Sequence, residues 1–254
     1  MTQSQEAIVE RQFGPRAAAY VQSSVHAAGE DLDMLQAIVR RSNPAHALDL
    51  GTGGGHVAYR LAPYAGAVTA SDLSAEMIAA VAETAREKEF ANIHVETAPA
   101  EQLPFADAAF DFLACRFSAH HWRDMEAGLR EARRVLSPGS AAVFIDVVSP
   151  AAPALDTHLQ AIELMRDPSH VRDYSASEWQ AALARANFAL RTIQTFRLRM
   201  DYPSWVERMR TSAAHREALR SLQRAASSQV SSHFAIEPDG SFTLDTALFE
   251  MVAV

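Results

Sequence analysis

The sequence holds one cysteine, Cys115, which excludes an intrachain disulfide framework and any zinc site built on paired thiolates. No run approaches the ~18 consecutive apolar residues of a membrane-spanning helix, and the apolar stretch 141–148 is itself broken by Asp146. Positive charge is in the minority. The 23 Lys and Arg against 31 Asp and Glu leave a net charge of −8, so the overall balance carries no nucleic-acid footprint. Residues 1–11 are polar, include two glutamates and lack the apolar segment of a secretion signal. No internal repeat, low-complexity tract or Pro/Gly/Ser-rich linker divides the chain. What is present is 254 residues, 48% apolar and 21% charged, the balance of a soluble globular protein expected in the cytoplasm.

The first 150 residues alternate between the two periodicities. Leu32, Leu35, Ile38 and Val39 share one face of a helix over 30–41. Short β-prone stretches at 45–50, 67–71, 93–97, 110–115 and 141–148 are spaced by helical segments at 54–63, 75–89 and 124–136. Ser74 is placed to cap the helix that follows it. This order predicts a doubly wound, mostly parallel α/β sheet with helices on both faces. Beyond residue 150 the pattern predicts helices at 153–166, 176–187 and 203–228, with strands at 188–200 and 242–252 adding an antiparallel pair to the sheet edge. The arginines between 208 and 224 read as a solvated helical face.

The densest chemical signal is Asp49-Leu50-Gly51-Thr52-Gly53-Gly54-Gly55-His56, where a strand enters a glycine turn and a helix leaves. Glycines let the backbone adopt unusual φ/ψ and let a ligand approach closely, and the helix start offers free N–H groups. Asp72 ends the next strand, 19 residues beyond Gly53, where a carboxylate can accept both hydroxyls of a ribose. Gly53 to Ala58 also satisfies the dinucleotide pattern G-x-G-x-x-A. A pyrophosphate beside Asp49 would meet like charge, whereas a ligand carrying a sulfonium and an ammonium would not. The charge logic favours S-adenosylmethionine over a nicotinamide dinucleotide.

Together with 68–77 (VTASDLSAEM), 100–111 (AEQLPFADAAFD), 116–122 (RFSAHHW) and 134–140 (RVLSPGS), this loop resembles the class I S-adenosylmethionine-dependent methyltransferases of the ubiquinone/menaquinone-biosynthesis-like (UbiE-type) group. The resemblance implies a Rossmann-like seven-stranded sheet with an antiparallel C-terminal strand. It implies one domain over 1–254: a helical lid (1–41), a cofactor-binding core (42–150), and helices with a C-terminal hairpin (151–254) that complete sheet and acceptor pocket. It assigns Asp49, Gly51, Thr52, Gly53 and Gly55 to the methionine and ribose side of the cofactor, Asp72 to the ribose hydroxyls, and Leu73 and Met77 to the adenine. The family's adenine-reading Asp is replaced by Pro99, which leaves Ala100 through its backbone, and Glu101 as a substitute acceptor or a solvated residue.

Arg116 ends the fourth strand, where its carbonyl is expected near the cofactor's amino group. His120 and His121 follow beside the expected methyl position, either as a general base or as packing residues; an unperturbed imidazole titrates near ~6.5, close to the operating pH. Asp146 interrupts the fifth strand at the ligand-binding rim, as an orienting carboxylate or a rim hydrogen bond. In the polar loop 165–173, His170 and Arg172 are candidates for the wall of the acceptor pocket. Tyr20 is the expected contact from an N-terminal helix that also carries Phe13, Arg16, Ser23 and His26. Adjacent histidines point apart and no carboxylate spacing completes a ligand set, so no metal is expected. The expected partner is a small-molecule methyl acceptor, taken at oxygen or carbon. A non-catalytic S-adenosylmethionine-binding protein and a nicotinamide oxidoreductase are the alternatives, and nothing in the pattern specifies an oligomeric state.

Overall fold

The structure is a computed structural model that describes residues 3–16 and 29–254. Seven strands form one sheet in the order β3-β2-β1-β4-β5-β7-β6: β1 (His46–Leu50), β2 (Ala67–Asp72), β3 (Ile93–Thr97), β4 (Phe110–Arg116), β5 (Leu136–Val147), β6 (Phe188–Met200) and β7 (Phe242–Ala253). The pairs from β3 through to β5 are parallel, and β7 is antiparallel to both β5 and β6. This is the mostly parallel, Rossmann-like sheet expected, with β7 inserted between β5 and the edge strand β6.

Helices α1 (Gln5–Phe13), α2 (Glu30–Ser42), α3 (His56–Leu61), α4 (Ala75–Glu87), α5 (Met125–Val135), α6 (Pro153–Arg166) and α7 (Ala176–Arg185) pack around it. Alternation along the central strands divides the core. Leu48, Leu50, Leu113, Cys115, Phe144 and Phe249 pack with Trp122, Leu129 and Trp179 on one face. Ala47, Val68, Phe112, Val143 and Leu248 pack on the other with Leu32, Leu35, Ile38 and Val39 of α2, all four of them fully buried. A third cluster gathers α6 and the later helices around Val147, Phe242 and Leu244 at the carboxyl rim of β5. Caps follow the sequence: Ser74 accepts from Met77 N–H, Asp124 from Ala127 N–H, and Ser175 with Glu178 closes a capping box.

The helix predicted over 203–228 is three helices, α8 (Tyr202–Arg208), α9 (Ala213–Arg224) and α10 (Ser228–His233). The chain breaks at Arg210, whose φ is +51°, and restarts where the Ser212 and Ser227 hydroxyls accept from His215 and Val230 N–H. At the amino end, α1 stops at Phe13 and a 3₁₀ turn, Gly14–Arg16, follows, because Gly14-Pro15 cannot carry the α-helix on. Tyr20, Ser23 and His26 lie outside the described residues. β5 starts at Leu136 rather than 141, with a register shift against β4 between Phe110 and Phe112 that accommodates Pro138 and Gly139. None of the described helices is long and apolar enough to cross a membrane.

Phe249 ties the two halves of the sheet. It is fully buried on β7 and stacks on Trp179 of α7, with ring centroids 5.2 Å apart. Phe249→Ala is expected to cost about 3–5 kcal/mol, read as a lower urea midpoint with an unchanged slope.

Candidate active site

Strand order reverses between β1 and β4, and an open α/β sheet binds ligands in the crevice at that point. Here the crevice is a cleft floored by the 51–54 turn after β1 and the 116–118 segment after β4. Its walls include Leu73, Met77, Ala98, Pro99, Ala100 and Glu101, together with Val9, Phe13, His121, Trp122 and Arg123. Among the residues singled out in the sequence, it brings together Gly51, Thr52, Gly53, Asp72, Leu73, Met77, Ala100, Glu101, Arg116 and His121.

Three glycines of the turn have positive φ, for different reasons. A Cβ on Gly51 would lie 2.0 Å from Ser118 Oγ, and one on Gly55 would strike the Tyr59 ring and hydroxyl. A Cβ on Gly53 would meet nothing, because it would point into the cleft. Gly51 and Gly55 are therefore demanded by the protein's own packing as well as by their φ, whereas at Gly53 the φ of +50° is the protein's own requirement and the space beside it stays open.

Asp72 is held by the loop it faces. Its Oδ2 accepts from Gly53 N–H at 2.9 Å and its Oδ1 from Ser74 N–H at 3.0 Å, which leaves lone pairs for ligand hydroxyls. Burial pushes this carboxyl above the ordinary range despite those bonds. Asp49 lies fully buried behind the turn and is not part of the cleft wall. Its Oδ2 accepts from Thr52 Oγ1 at 2.6 Å and from Ala58 N–H at 2.9 Å, pinning the turn to the start of α3. Its Oδ1 has no partner in the protein, and burial raises the carboxyl to about 7. Glu101 accepts from Asp124 N–H at 3.3 Å. Arg116 spans the floor with its Nε 2.6 Å from Asp31 Oδ2, a buried ion pair between β4 and α2.

The 3₁₀ turn Ala119–His121 gives its two histidines opposite surroundings. His121 faces the cleft, with Phe13 edge-on at 4.9 Å. Its Nδ1 lies 3.2 Å from Ser169 O; a carbonyl only accepts, so Nδ1 carries the proton and Nε2 the lone pair. His120 turns behind the wall, its Nδ1 2.6 Å from Asp146 Oδ1. Asp146 also accepts from Ala119 and Val147 N–H. Burial opposes charge on both rings. For His120 the Asp146 carboxylate outweighs burial and raises it to about 9, whereas His121, beside His120, falls to about 4.

His170 and Arg172 do not line the cleft. Buried His170 Nε2 sits 3.0 Å from Gln160 Oε1, and Arg172 pairs with Glu178 and Asp156. Their loop instead props the histidine turn, since Val171 and Arg172 N–H both bond His120 O. An N-terminal helix carrying Phe13 was expected over the cleft, and α1 lines it through Phe13 and also through Gln5, Glu6 and Val9, which the sequence had not singled out: Gln5 Nε2 bonds Ser169 O at 2.7 Å and His121 O at 3.3 Å, and Glu6 pairs with Arg123 at 2.9 Å. No motif marks those residues; the amphipathic start after the Ser4 cap was the available signal. Among the described residues no group of His, Cys, Asp and Glu could hold a metal ion.

A doubly wound sheet with a glycine turn and an acidic residue at its switch point defines a nucleoside-cofactor protein. Comparison with known proteins narrows the class. Residues 48–144 match the methyltransferase domain family model. YafE of Escherichia coli K12, described as uncharacterized, is 44% identical over 184 residues, covering 72% of this chain and 89% of that protein. YcgJ of Bacillus subtilis, described as an uncharacterized methyltransferase, is 34% identical over 227 residues, covering 89% of this chain and 90% of YcgJ. The crystal structure of YcgJ superposes with a TM-score of 0.82 at 32% identity, over 87% of this chain and 97% of that one. A demethylmenaquinone methyltransferase of Chlorobaculum parvum is 37% identical over 109 residues, covering 42% of this chain and 43% of the relative. The chain belongs to the class I S-adenosylmethionine-dependent methyltransferases related to the UbiE-type enzymes.

The glycines separate fold from binding. Gly51→Ala should lose about 1–3 kcal/mol by overpacking Ser118. Gly53→Asn should fold within about 1 kcal/mol of the parent, since Asn tolerates positive φ, yet bind S-adenosylhomocysteine at least tenfold more weakly. Urea unfolding and calorimetric titration of both variants check this.

Proposed function

We propose that this chain binds S-adenosylmethionine in the cleft and transfers its methyl group to the oxygen or carbon of a small-molecule acceptor. The observation that carries the reading is that one cleft is lined both by an oriented Asp72, beside the open space over Gly53, and by a neutral His121. The residues fit the cofactor. Asp72 would accept the ribose hydroxyls, and Gly51, Thr52 and Gly53 would pass under the methionine portion. Gly55, packed on Tyr59, and Asp49, with its unpartnered oxygen, would hold that turn from behind. Leu73, Met77 and Ala100 would enclose adenine, with Glu101 at its edge. Arg116, paired with Asp31, would keep the floor in place.

The bound cofactor supplies an electrophilic methyl on a positive sulfur. The chain's part is to bind, orient, exclude water and take a proton. Val9, Phe13 and Trp122, beside His121 in the lining, would give an acceptor an apolar wall. His121 Nε2 would accept the proton of an acceptor O–H or acidic C–H, with Ser169 O holding Nδ1–H. His120 and Asp146 would act behind it as positioning residues. His170 and Arg172 would support the same turn from their loop.

Incubation with methyl-labelled S-adenosylmethionine and a metabolite extract should yield a labelled small molecule; binding without any product would leave a cofactor-binding protein, and thermal protection by NADH instead would overturn the cofactor. Asp72→Ala should weaken S-adenosylhomocysteine by about 1.5–3 kcal/mol and raise the cofactor KM with kcat nearly kept. Once an acceptor is in hand, His121→Ala should lower kcat by ~10²–10⁴ with cofactor affinity unchanged.

A further inference from the structure

We infer that the His120–Asp146 ion pair reinforces what burial begins at the cleft histidine: its positive end, held against the His121 ring, helps keep His121 an uncharged proton acceptor. This deepens, and rests on, the reading of His121 as the acceptor of the substrate proton.

The geometry is specific. The two imidazoles lie 4.1 Å apart between centroids, at 51°. His120 is tied to a carboxylate that is 2% exposed, and its backbone oxygen is pinned by two N–H groups from the 167–173 loop. It cannot swing away from either neighbour. His121 has only a neutral carbonyl and hydroxyl of Ser169 at Nδ1. A unit charge at ~4 Å in a partly desolvated site interacts by several kT, so charging both rings is strongly disfavoured.

Other groups face the pair. On the His120 side are Asp173 and His170 of the loop after α6 and Glu163 of α6; His170 is 6.0 Å from His120 and pushed below its ordinary value, first by burial and then by the two neighbouring histidines. On the His121 side are Asp167 and, more remotely, Asp146. Asp167 is bonded by Ser169 through its Oδ1, and Gln5 and Phe13 of α1 add no charge. The carboxylate in hydrogen-bonding contact with either imidazole ring is Asp146 on His120. The proton is therefore stored behind the wall, and the ring that faces the cleft keeps its lone pair. The arrangement has a second benefit: a charged imidazole at the wall would repel a cationic sulfonium, whereas a neutral one beside a compensated ion pair does not.

The test needs neither cofactor nor acceptor. Histidine Cε1–H resonances are followed by NMR across the pH range in which near-UV circular dichroism is native, in the parent, Asp146→Asn and His120→Gln. In the parent, His121 should titrate well below and His120 well above the ordinary histidine value. Asp146→Asn should move them in opposite directions, His120 down and His121 up. His120→Gln should raise His121 by about one pKa unit or more. Packing alone would not move the two titrations oppositely. A His121 that titrates at the ordinary value in the parent, or stays in place in folded His120→Gln, overturns the inference. Should Asp146→Asn fail to fold, the parent and His120→Gln still decide. The base reading is separable: His121→Ala with unaltered turnover would sink that reading while leaving the titration result intact.

Discussion

Gly51 and Ser118 compete for one space, and the cleft exists because the serine has it. A Cβ at Gly51 would overlap Ser118 Oγ at 2.0 Å. That same oxygen accepts from Trp122 Nε1–H at 3.1 Å. The Trp122 ring in turn fills the position that a side chain on Gly128 would need, 2.4 Å from its missing Cβ. The turn after β1, the turn after β4 and helix α5 are thus keyed to one another by two absent side chains. The keying sits at the strand-order reversal, so the crevice expected of the topology becomes a cleft of fixed width. With the floor immobilised, Asp72 and His121 can be aimed by local hydrogen bonds alone.

Electrostatics follow from that frame. Among the described residues, the cations beside the cleft are each compensated by a carboxylate: Arg116 by Asp31, Arg123 by Glu6, His120 by Asp146. Asp72 keeps lone pairs for the crevice, and Asp49 lies behind the turn with one oxygen unpartnered. Burial raises both carboxyls, which makes a positive ligand the natural way to restore their ionised form. A pyrophosphate would work against the same two groups. The site's field therefore agrees with the charge logic of the sequence, which favoured a sulfonium–ammonium ligand.

The strands and the glycine turn were legible because each depends on a short local pattern. The alternation of 46–50 and 112–115 puts odd and even residues on opposite faces, and the two buried clusters divide on that parity, Phe110 falling out of step at the register shift of β4. Helix α2 presents the four apolar residues its spacing predicted. The breaks within 203–228 were hidden because a serine at a cap reads like any polar surface residue until its hydroxyl finds an N–H three residues on. The differing roles of His120 and His121 were likewise invisible. They are neighbours of one type on one turn, and what distinguishes them is Asp146 on β5 and Ser169 in a distant loop. His170 and Arg172 misled for the same reason, since a polar loop near a site reads alike whether it lines the cavity or buttresses its wall.

That buttress explains why so much polarity is buried where no ligand need reach. Asp146, His170, Asp173 and Ser169 are each less than a tenth exposed, in a fold that could have filled the space with apolar residues. An apolar filling would be as stable or more so, because desolvating charged groups is costly. It could not, however, hold a 3₁₀ turn by its carbonyl and its two rings at once, one ring from β5 and the carbonyl and other ring from the 167–173 loop. Nor could it present two chemically identical side chains in different charge states 4.1 Å apart. The polar layer costs stability and gives the cleft one imidazole of defined tautomer and charge, a condition that any proton transfer to that nitrogen would require.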